Sequence, residues 1–232
     1  VTHAAVLAGH YRRTREAMAE AAAEGATVLL IHDATELDFT SRTMLADQLG
    51  QIGQGTHRGY ICHNSLAVRA DTRATLGLGS QILHHRPEVP PRETLQQTRE
   101  RKNRESRLWV RGAAASGPSP ATGRVVDVSD RLSDTFEYMA FEIEQGRQFV
   151  VRSKENRKLL EPINGRWYLH DAVRTKLAVA DWEHDIPAAP GRAARRAHLK
   201  VSFTPVLLAL PGKRAGEYAD QPLELWCVRA WE

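Results

Sequence analysis

Three short apolar runs constrain the fold of this chain more than any other feature. Thr27-Val28-Leu29-Leu30-Ile31 ends at His32-Asp33, Arg124-Val125-Val126-Asp127-Val128 ends near Asp130, and Gln148-Phe149-Val150-Val151 ends at Arg152. Each run is brief and rich in β-branched residues, so each predicts a buried strand rather than a helix. Helical patterns lie around them. Residues 3–24 carry Leu7, Tyr11, Met18 and Ala22 near helical spacing, with Gly25 as a stop. Asp134 to Gln145 is an amphipathic helix that turns Phe136, Met139, Ala140 and Ile143 inward.

The segments between are punctuated by glycine and proline. Gly50, Gly53 and Gly55 predict a loop over 41–58. Strands follow at 59–70 and 74–86, joined through Ala70-Asp71-Thr72-Arg73 and ended by Pro87, Pro90 and Pro91. Residues 93–115 predict a helix, broken by Gly117, Pro118 and Pro120. Beyond residue 160 the pattern changes to short strands at 166–169, 176–182, 198–209 and 223–229. The expected organisation is a helical lead-in over 1–26, a core over 27–158 and a β-rich insertion over 159–232. Three antiparallel strands followed by alternating helices and parallel strands is the ribonuclease-H-like order. The fold class expected is therefore α/β, a mixed sheet flanked by helices.

Composition removes several alternatives. With 232 residues, 42% hydrophobic and 26% charged, the chain can bury a core, which excludes disorder, collagen and a disulfide scaffold. No apolar run approaches the roughly 18 residues of a membrane helix. The opening VTHAAVLAGHYRR lacks a signal-peptide pattern. Lys+Arg 32 against Asp+Glu 28 gives a net charge of +4, which permits nucleic-acid binding without requiring it. Cys62 and Cys227 stand apart with no CxxC spacing, so they predict reduced thiols in a cytoplasmic protein rather than a zinc or redox site. The chain opens on Val1 and stops on Trp231-Glu232 after an apolar run, and both ends look cut.

Asp33 and Asp130 each follow a buried strand. On neighbouring strands they would meet at the sheet edge where open α/β sheets bind ligands. Two carboxylates held close resist ionising together, and a hard divalent cation removes that conflict. Two such ions about 3.5–4 Å apart can activate a water and stabilise a leaving 3′-oxygen. Taken singly, an aspartate at a strand end more often caps the following turn. Asp127, three residues before Asp130 and on the opposite face of its strand, competes for the second position. His32 adjoins Asp33 but is turned away by the same alternation, and is expected to be without consequence.

VLLIHDATELDFT, VVDVSDRLSDTFEYM and QFVVRSK resemble the catalytic core of bacterial DDE transposases of the insertion-sequence-four family, its transposon-five branch in particular. The family's first motif, an apolar strand, Asp, and Thr two residues on, is matched by Asp33 and Thr35. Its second, strand, Asp-Arg, and a further Asp, is matched by Asp130, Arg131 and Asp134, which selects Asp130 over Asp127. Its FVVRS strand is matched through Arg152. AVLAGHYRRTREAM, SRTMLADQLGQIGQGTHRGYICHNSLAV and QPLELW extend the resemblance over nearly the whole chain.

The resemblance implies that Asp33 and Asp130 are two of three carboxylates holding two Mg²⁺ (or Mn²⁺) ions. It implies that Arg131 and Arg152 contact transposon-end double-stranded DNA, and that Trp226 stacks on a base flipped from the duplex. The bland alternatives are a surface salt bridge for Arg152 and a core position for Trp226. Of two basic stretches, Arg99–Arg107 contains Glu100 and Glu105 and predicts a solvated helix face, whereas Arg192–Lys200, with Arg195 and Arg196, carries no acid and is the better phosphate-binding candidate. The family's third carboxylate, a Glu within Tyr-x-x-Arg-x-x-x-Glu, has no match, and Glu232 lacks the flanking residues. The expectation is a transposase core inactive alone, cytoplasmic and nucleoid-associated, with no membrane or small-molecule cofactor. A dimer with a full-length transposase is a further expectation. The competing readings are a non-catalytic DNA- or transposase-binding remnant of a decayed element, or another ribonuclease-H-like nuclease.

Overall fold

The computed structural model describes residues 2–86, 92, 94, 97, 100–101, 103–120, 123–212 and 221–232. Pro87, Pro90, Pro91, Arg99 and much of the expected helix at 93–102 lie outside the described residues. The chain is mixed α/β and divides into a first unit ending at Lys154 and a second starting at Glu155. The boundary therefore falls slightly before the expected 158–159.

The first unit is built on one mixed sheet. Its strands are β1 (Thr27–Asp38), β2 (Gly50–Gln51), β3 (Arg58–Arg69), β4 (Thr75–His84), β5 (Arg124–Ser129) and β6 (Gln148–Val151). Across the sheet the order is β4-β3-β1-β5-β6, with the short β2 also pairing β3. β4 runs antiparallel to β3 and β3 antiparallel to β1, whereas β5 and β6 run parallel to β1. All three predicted buried runs thus lie side by side.

Helices α1 (His3–Ala23), α2 (Leu108–Ala115) and α3 (Phe136–Glu144) cover one face of this sheet. Met18 and Ala21 of α1 pack on Val28, Leu30, Ala67 and Val125, while Leu108, Trp109 and Ala113 of α2 and Tyr138 of α3 pack around Ile61. α1 also closes the β4 edge. His10 accepts from the Leu78 N–H, and the Tyr11 hydroxyl bonds both the N–H and the carbonyl of Gln81. An edge strand left unpaired is a site of unwanted strand addition, so these contacts protect the sheet. α1 belongs to this unit rather than forming a separate lead-in.

Several expectations need correction. The apolar runs predict burial on both sheet faces, but the second face is open: Ile31 and Leu66 are each 37% exposed and Val150 57%. β6 is the last strand of the path and alternates exposed and half-buried positions rather than being a buried strand. The expected loop at 41–58 contains a 3₁₀ helix, Thr43–Gln48, and β2. The described part of the predicted 93–115 helix is a 3₁₀ turn, Glu105–Arg107, leading into α2. On α3, Ile143 is exposed, and the buried face instead carries Glu137, Tyr138 and Glu142 beside the predicted apolar residues.

The second unit holds a β-rich sheet: β7 (Lys158–Ile163), β8 (Arg166–Tyr168), β9 (Ala180–Ile186), β10 (Arg195–Leu208) and β11 (Leu223–Trp231). The order is β11-β10-β7-β8, with β9 also pairing β10. A helix, α4 (Leu169–Arg174), replaces the end of the predicted 166–169 strand and buries Leu169, Ala172 and Val173. The strand predicted at 176–182 forms at 180–186 instead. β7 is an unpredicted strand, although Asn164-Gly165 signals it: both residues take positive φ (49° and 73°), the geometry a two-residue hairpin turn needs.

Candidate active site

Strand register brings the two family-matched aspartates to one place. The last paired rung of the parallel sheet is His32, Ser129 and Val151 on β1, β5 and β6. One step further along each strand stand Asp33, Asp130 and Arg152. The Arg152 N–H donates to the Ser129 carbonyl at 3.2 Å, which holds the exit of β6 against the exit of β5. On the antiparallel side Asp33 faces Asn64, and Asn64 faces Gln81, whose Nε2 donates to Asn64 Oδ1 at 2.7 Å. Asp33 is exposed and Asp130 half-buried, whereas the flanking His32 and Ser129 are buried. The alternation therefore directs both carboxylates to the open face.

Only Asp130 plays the local role expected of a strand-end carboxylate, because β1 does not stop at Asp33 as expected but stays paired with β3 as far as Asp38. Asp33 Oδ1 accepts from the Ala34 N–H at 2.8 Å, and Asp130 Oδ1 accepts from the Leu132 N–H at 2.9 Å as N-cap of the turn Arg131–Ser133. In each case Oδ2 has no hydrogen-bond partner among the described residues. Capping and metal binding are thus compatible. One oxygen fixes the side chain and the other is available to a hard cation, which takes one or two carboxylates and completes its shell with water and phosphate oxygens. Among the described residues no group of three or more His, Cys, Asp or Glu is arranged to hold a metal. The donors here are an aspartate pair.

The flanking motif residues are placed around that pair. Arg131 is exposed on the capped turn and Arg152 is exposed at the end of β6. Neither forms an ion pair among the described residues, so the salt-bridge alternative for Arg152 is not realised there. Asp134, mostly buried, accepts from the Lys154 N–H at 2.6 Å and ties the segment after Arg152 to the turn after Asp130. Thr35 lies exposed two residues beyond Asp33.

The remaining predicted contacts belong to the second unit. Trp226 on β11 is 66% exposed, with its ring 5.8 Å from that of Phe203, so it is not a core tryptophan. Arg195 pairs with Glu232, and Arg196 pairs with Glu183 and Asp185, both at 3.0 Å. The stretch that carries no acid in sequence is thus matched by acids from β9 and the chain end. These pairs are solvent-exposed, contribute little, and leave the guanidiniums able to exchange partners. In the other basic stretch, Arg104 and Arg107 are not a solvated face: both turn inward to the buried Glu137 of α3.

Sequence reasoning missed a buried polar ladder on the helix-covered face, directly behind the aspartates. His32 is not inconsequential. Its Nε2 lies 2.7 Å from Asp127 Oδ1, its Nδ1 lies 2.8 Å from Ser65 Oγ, and Ser65 continues to Ser80 at 2.8 Å. Arg147 donates from Nε and Nη2 to the two oxygens of Asp127, at 3.0 and 2.9 Å, and from Nη1 to the Gly117 carbonyl at 2.8 Å. Glu142 and Tyr138 of α3 adjoin this fork. Burial, His32 and Arg111 push the His63 imidazole down to about 3, so it stays neutral. Burial, Glu142 and Asp127 together push the Tyr138 hydroxyl upward. Asp127 is therefore a structural partner of His32 on β1 and of Arg147 in the turn after α3 rather than a second candidate ligand. The available signal was parity: His32 and Asp127 occupy buried positions of apolar strands, where an unpaired polar group is costly.

No family model matches the chain. Among the described residues no helix is long and apolar enough to cross a membrane.

Proposed function

We propose that the first unit is the catalytic core of a DNA transposase of the DDE type, on a ribonuclease-H-like sheet, acting on transposon-end double-stranded DNA. The observation that carries this reading is the single register step that aligns Asp33, Asp130 and Arg152 across three adjacent parallel strands. The strand order β4-β3-β1-β5-β6, with its antiparallel and parallel halves, supports it. So does the agreement between these positions and the motif residues of the insertion-sequence-four resemblance.

In this reading Asp33 and Asp130 would hold Mg²⁺ or Mn²⁺ through their unengaged oxygens. The bound metal supplies activation of a water and stabilisation of the leaving 3′-oxygen. Residues of the first unit act around it. The Ala34 and Leu132 amides orient the two carboxylates. Arg131 and Arg152, exposed beside them, offer guanidinium forks to phosphate. Trp226 and Phe203 form an exposed aromatic pair suited to stacking on an extruded base. Arg195 and Arg196 would trade carboxylate partners for phosphates. With an aspartate pair as the described donors, strand transfer would draw on a further carboxylate, in an assembly with a full-length transposase. The cytoplasm, at the nucleoid, is the compartment this activity requires.

Mn²⁺ titration of the purified chain tests the reading. Wild type should bind submillimolar Mn²⁺, and Asp33→Asn with Asp130→Asn should abolish binding while leaving circular dichroism unchanged. Duplex binding should weaken in Arg152→Ala and show a shallower salt dependence. Metal affinity unaffected by the double aspartate substitution would overturn the proposal.

A further inference from the structure

The ladder behind the aspartates contains one more buried acid than its cation can serve. Asp127, Glu142 and Arg147 meet at its centre, with the His32 imidazole also on Asp127, and the side chains of the first two are fully buried. Arg147 Nε stands 3.2 Å from Glu142 Oε2. Its single hydrogen, however, is directed to Asp127 Oδ2, and Nη2 and Nη1 are engaged by Asp127 and the Gly117 carbonyl. Neither oxygen of Glu142 accepts a hydrogen bond from any described residue. From α3 itself, the buried Tyr138 hydroxyl adjoins Glu142 but meets no described residue at hydrogen-bond geometry. From β1, His32 is committed to Asp127 and Ser65. From β3, the neutral His63 ring lies 5.6 Å from that of His32.

An ionised Glu142 would leave two carboxylates facing one guanidinium in a dry site, with both Glu142 oxygens unsatisfied. That is among the most expensive arrangements a protein interior can hold. A neutral Glu142 removes the excess charge and leaves the Asp127–Arg147 fork balanced.

We propose that the folded chain carries one bound proton on Glu142, and that the fold around it loses stability as this proton leaves. This inference concerns the helix-covered face and stands apart from the metal-binding reading of the open face. Burial first, and the Asp127 charge second, push the Glu142 carboxyl up to about 7, against the opposing pull of Arg147. In the unfolded chain the same carboxyl returns to about 4.3. Between those values the folded state holds a proton that the unfolded state has lost, so stability falls as pH rises through the window and levels off above it. The fold is therefore most stable in mild acid and loses that contribution towards neutrality.

Two measurements on the whole chain test this. In a sample with ¹³C-labelled glutamate side chains, one carboxyl should titrate near pH 7, and its signal should be absent from Glu142→Gln. In urea unfolding, the ratio of wild-type to Glu142→Gln folding constants should fall by up to about tenfold per pH unit between about pH 4.5 and 7, then stay constant. Gln keeps the shape of the neutral acid and cannot titrate. If every glutamate carboxyl titrates in the ordinary acid range, or if the two stability profiles run parallel, the proposal is wrong. Should Glu142→Gln fail to fold, the wild-type titration alone decides by the same criterion.

Discussion

Replacing Arg147 by Met removes the guanidinium that forks onto Asp127 and leaves the aliphatic volume largely in place. The side chain is 6% exposed and donates three hydrogen bonds, two of them charge-assisted to Asp127. Removing one partner of a buried ion pair costs about 3–5 kcal/mol, because the remaining charge is stranded. Asp127, fully buried, is left without its guanidinium, so a loss near the middle of that range, about 4 kcal/mol, is expected. With a urea m-value of about 2 kcal/mol per molar for a domain of this size, the midpoint should drop by about 2 M. Trp109, 3% exposed and in contact with His63, reports unfolding of this unit through its emission. Adding Asp127→Asn to Arg147→Met should recover part of the loss, since a neutral amide replaces the orphaned charge. The contrasting control is Arg196→Ala, which breaks two ion pairs whose members are all more than half exposed and should change stability by less than about 0.5 kcal/mol. If Arg147→Met and Arg196→Ala proved equally mild, the argument that burial decides the worth of these pairs would fail.

Two further outcomes follow from the same face of the sheet. A Cβ on Gly112 would stand 2.2 Å from the His63 ring, which is itself buried between β3 and α2, so Gly112→Ala should destabilise the chain by about 1–3 kcal/mol in thermal melts; an unchanged melting temperature would mean that α2 does not press on β3 at this point. The His63 ring should stay neutral far into acid, its folded value lying near 3 against about 6.5 when unfolded. The unfolded chain then binds the proton first, so this group's contribution is intact above pH 6.5 and fades as pH falls towards 3; a His63 NMR signal that titrates near 6.5 would contradict it.

The open and covered faces of the sheet were unequally legible. Asp33, Asp130 and Arg152 could be placed along their strands because each follows a run of β-forming residues, a local property, although β1 runs on past Asp33 to Asp38. The hairpin of β3 and β4 was legible for the same reason. β7 and α4 were missed because their signals, Asn164-Gly165 and three apolar residues in one helical turn and a half, are short. Ile143 was assigned to the core by helical spacing alone, yet α3 is rotated to bury Glu137 and Glu142. Helical periodicity identifies a stripe, but it does not show that a distant Arg104 makes burying Glu137 tolerable.

Sequence alone therefore determined the element types along most of the first unit and the residues that follow its apolar runs, since both depend on neighbours within a few positions. Tertiary structure decided which strand ends become adjacent, through the register that sets His32 beside Ser129 and Ser129 beside Val151. It also decided which charges are buried. Asp127 and Arg147 are 20 residues apart, and Asp127 and His32 are 95 apart. The energy of such pairs depends on the dielectric around them and on the hydrogen bonds left unmade, quantities that exist only once the chain has closed over them.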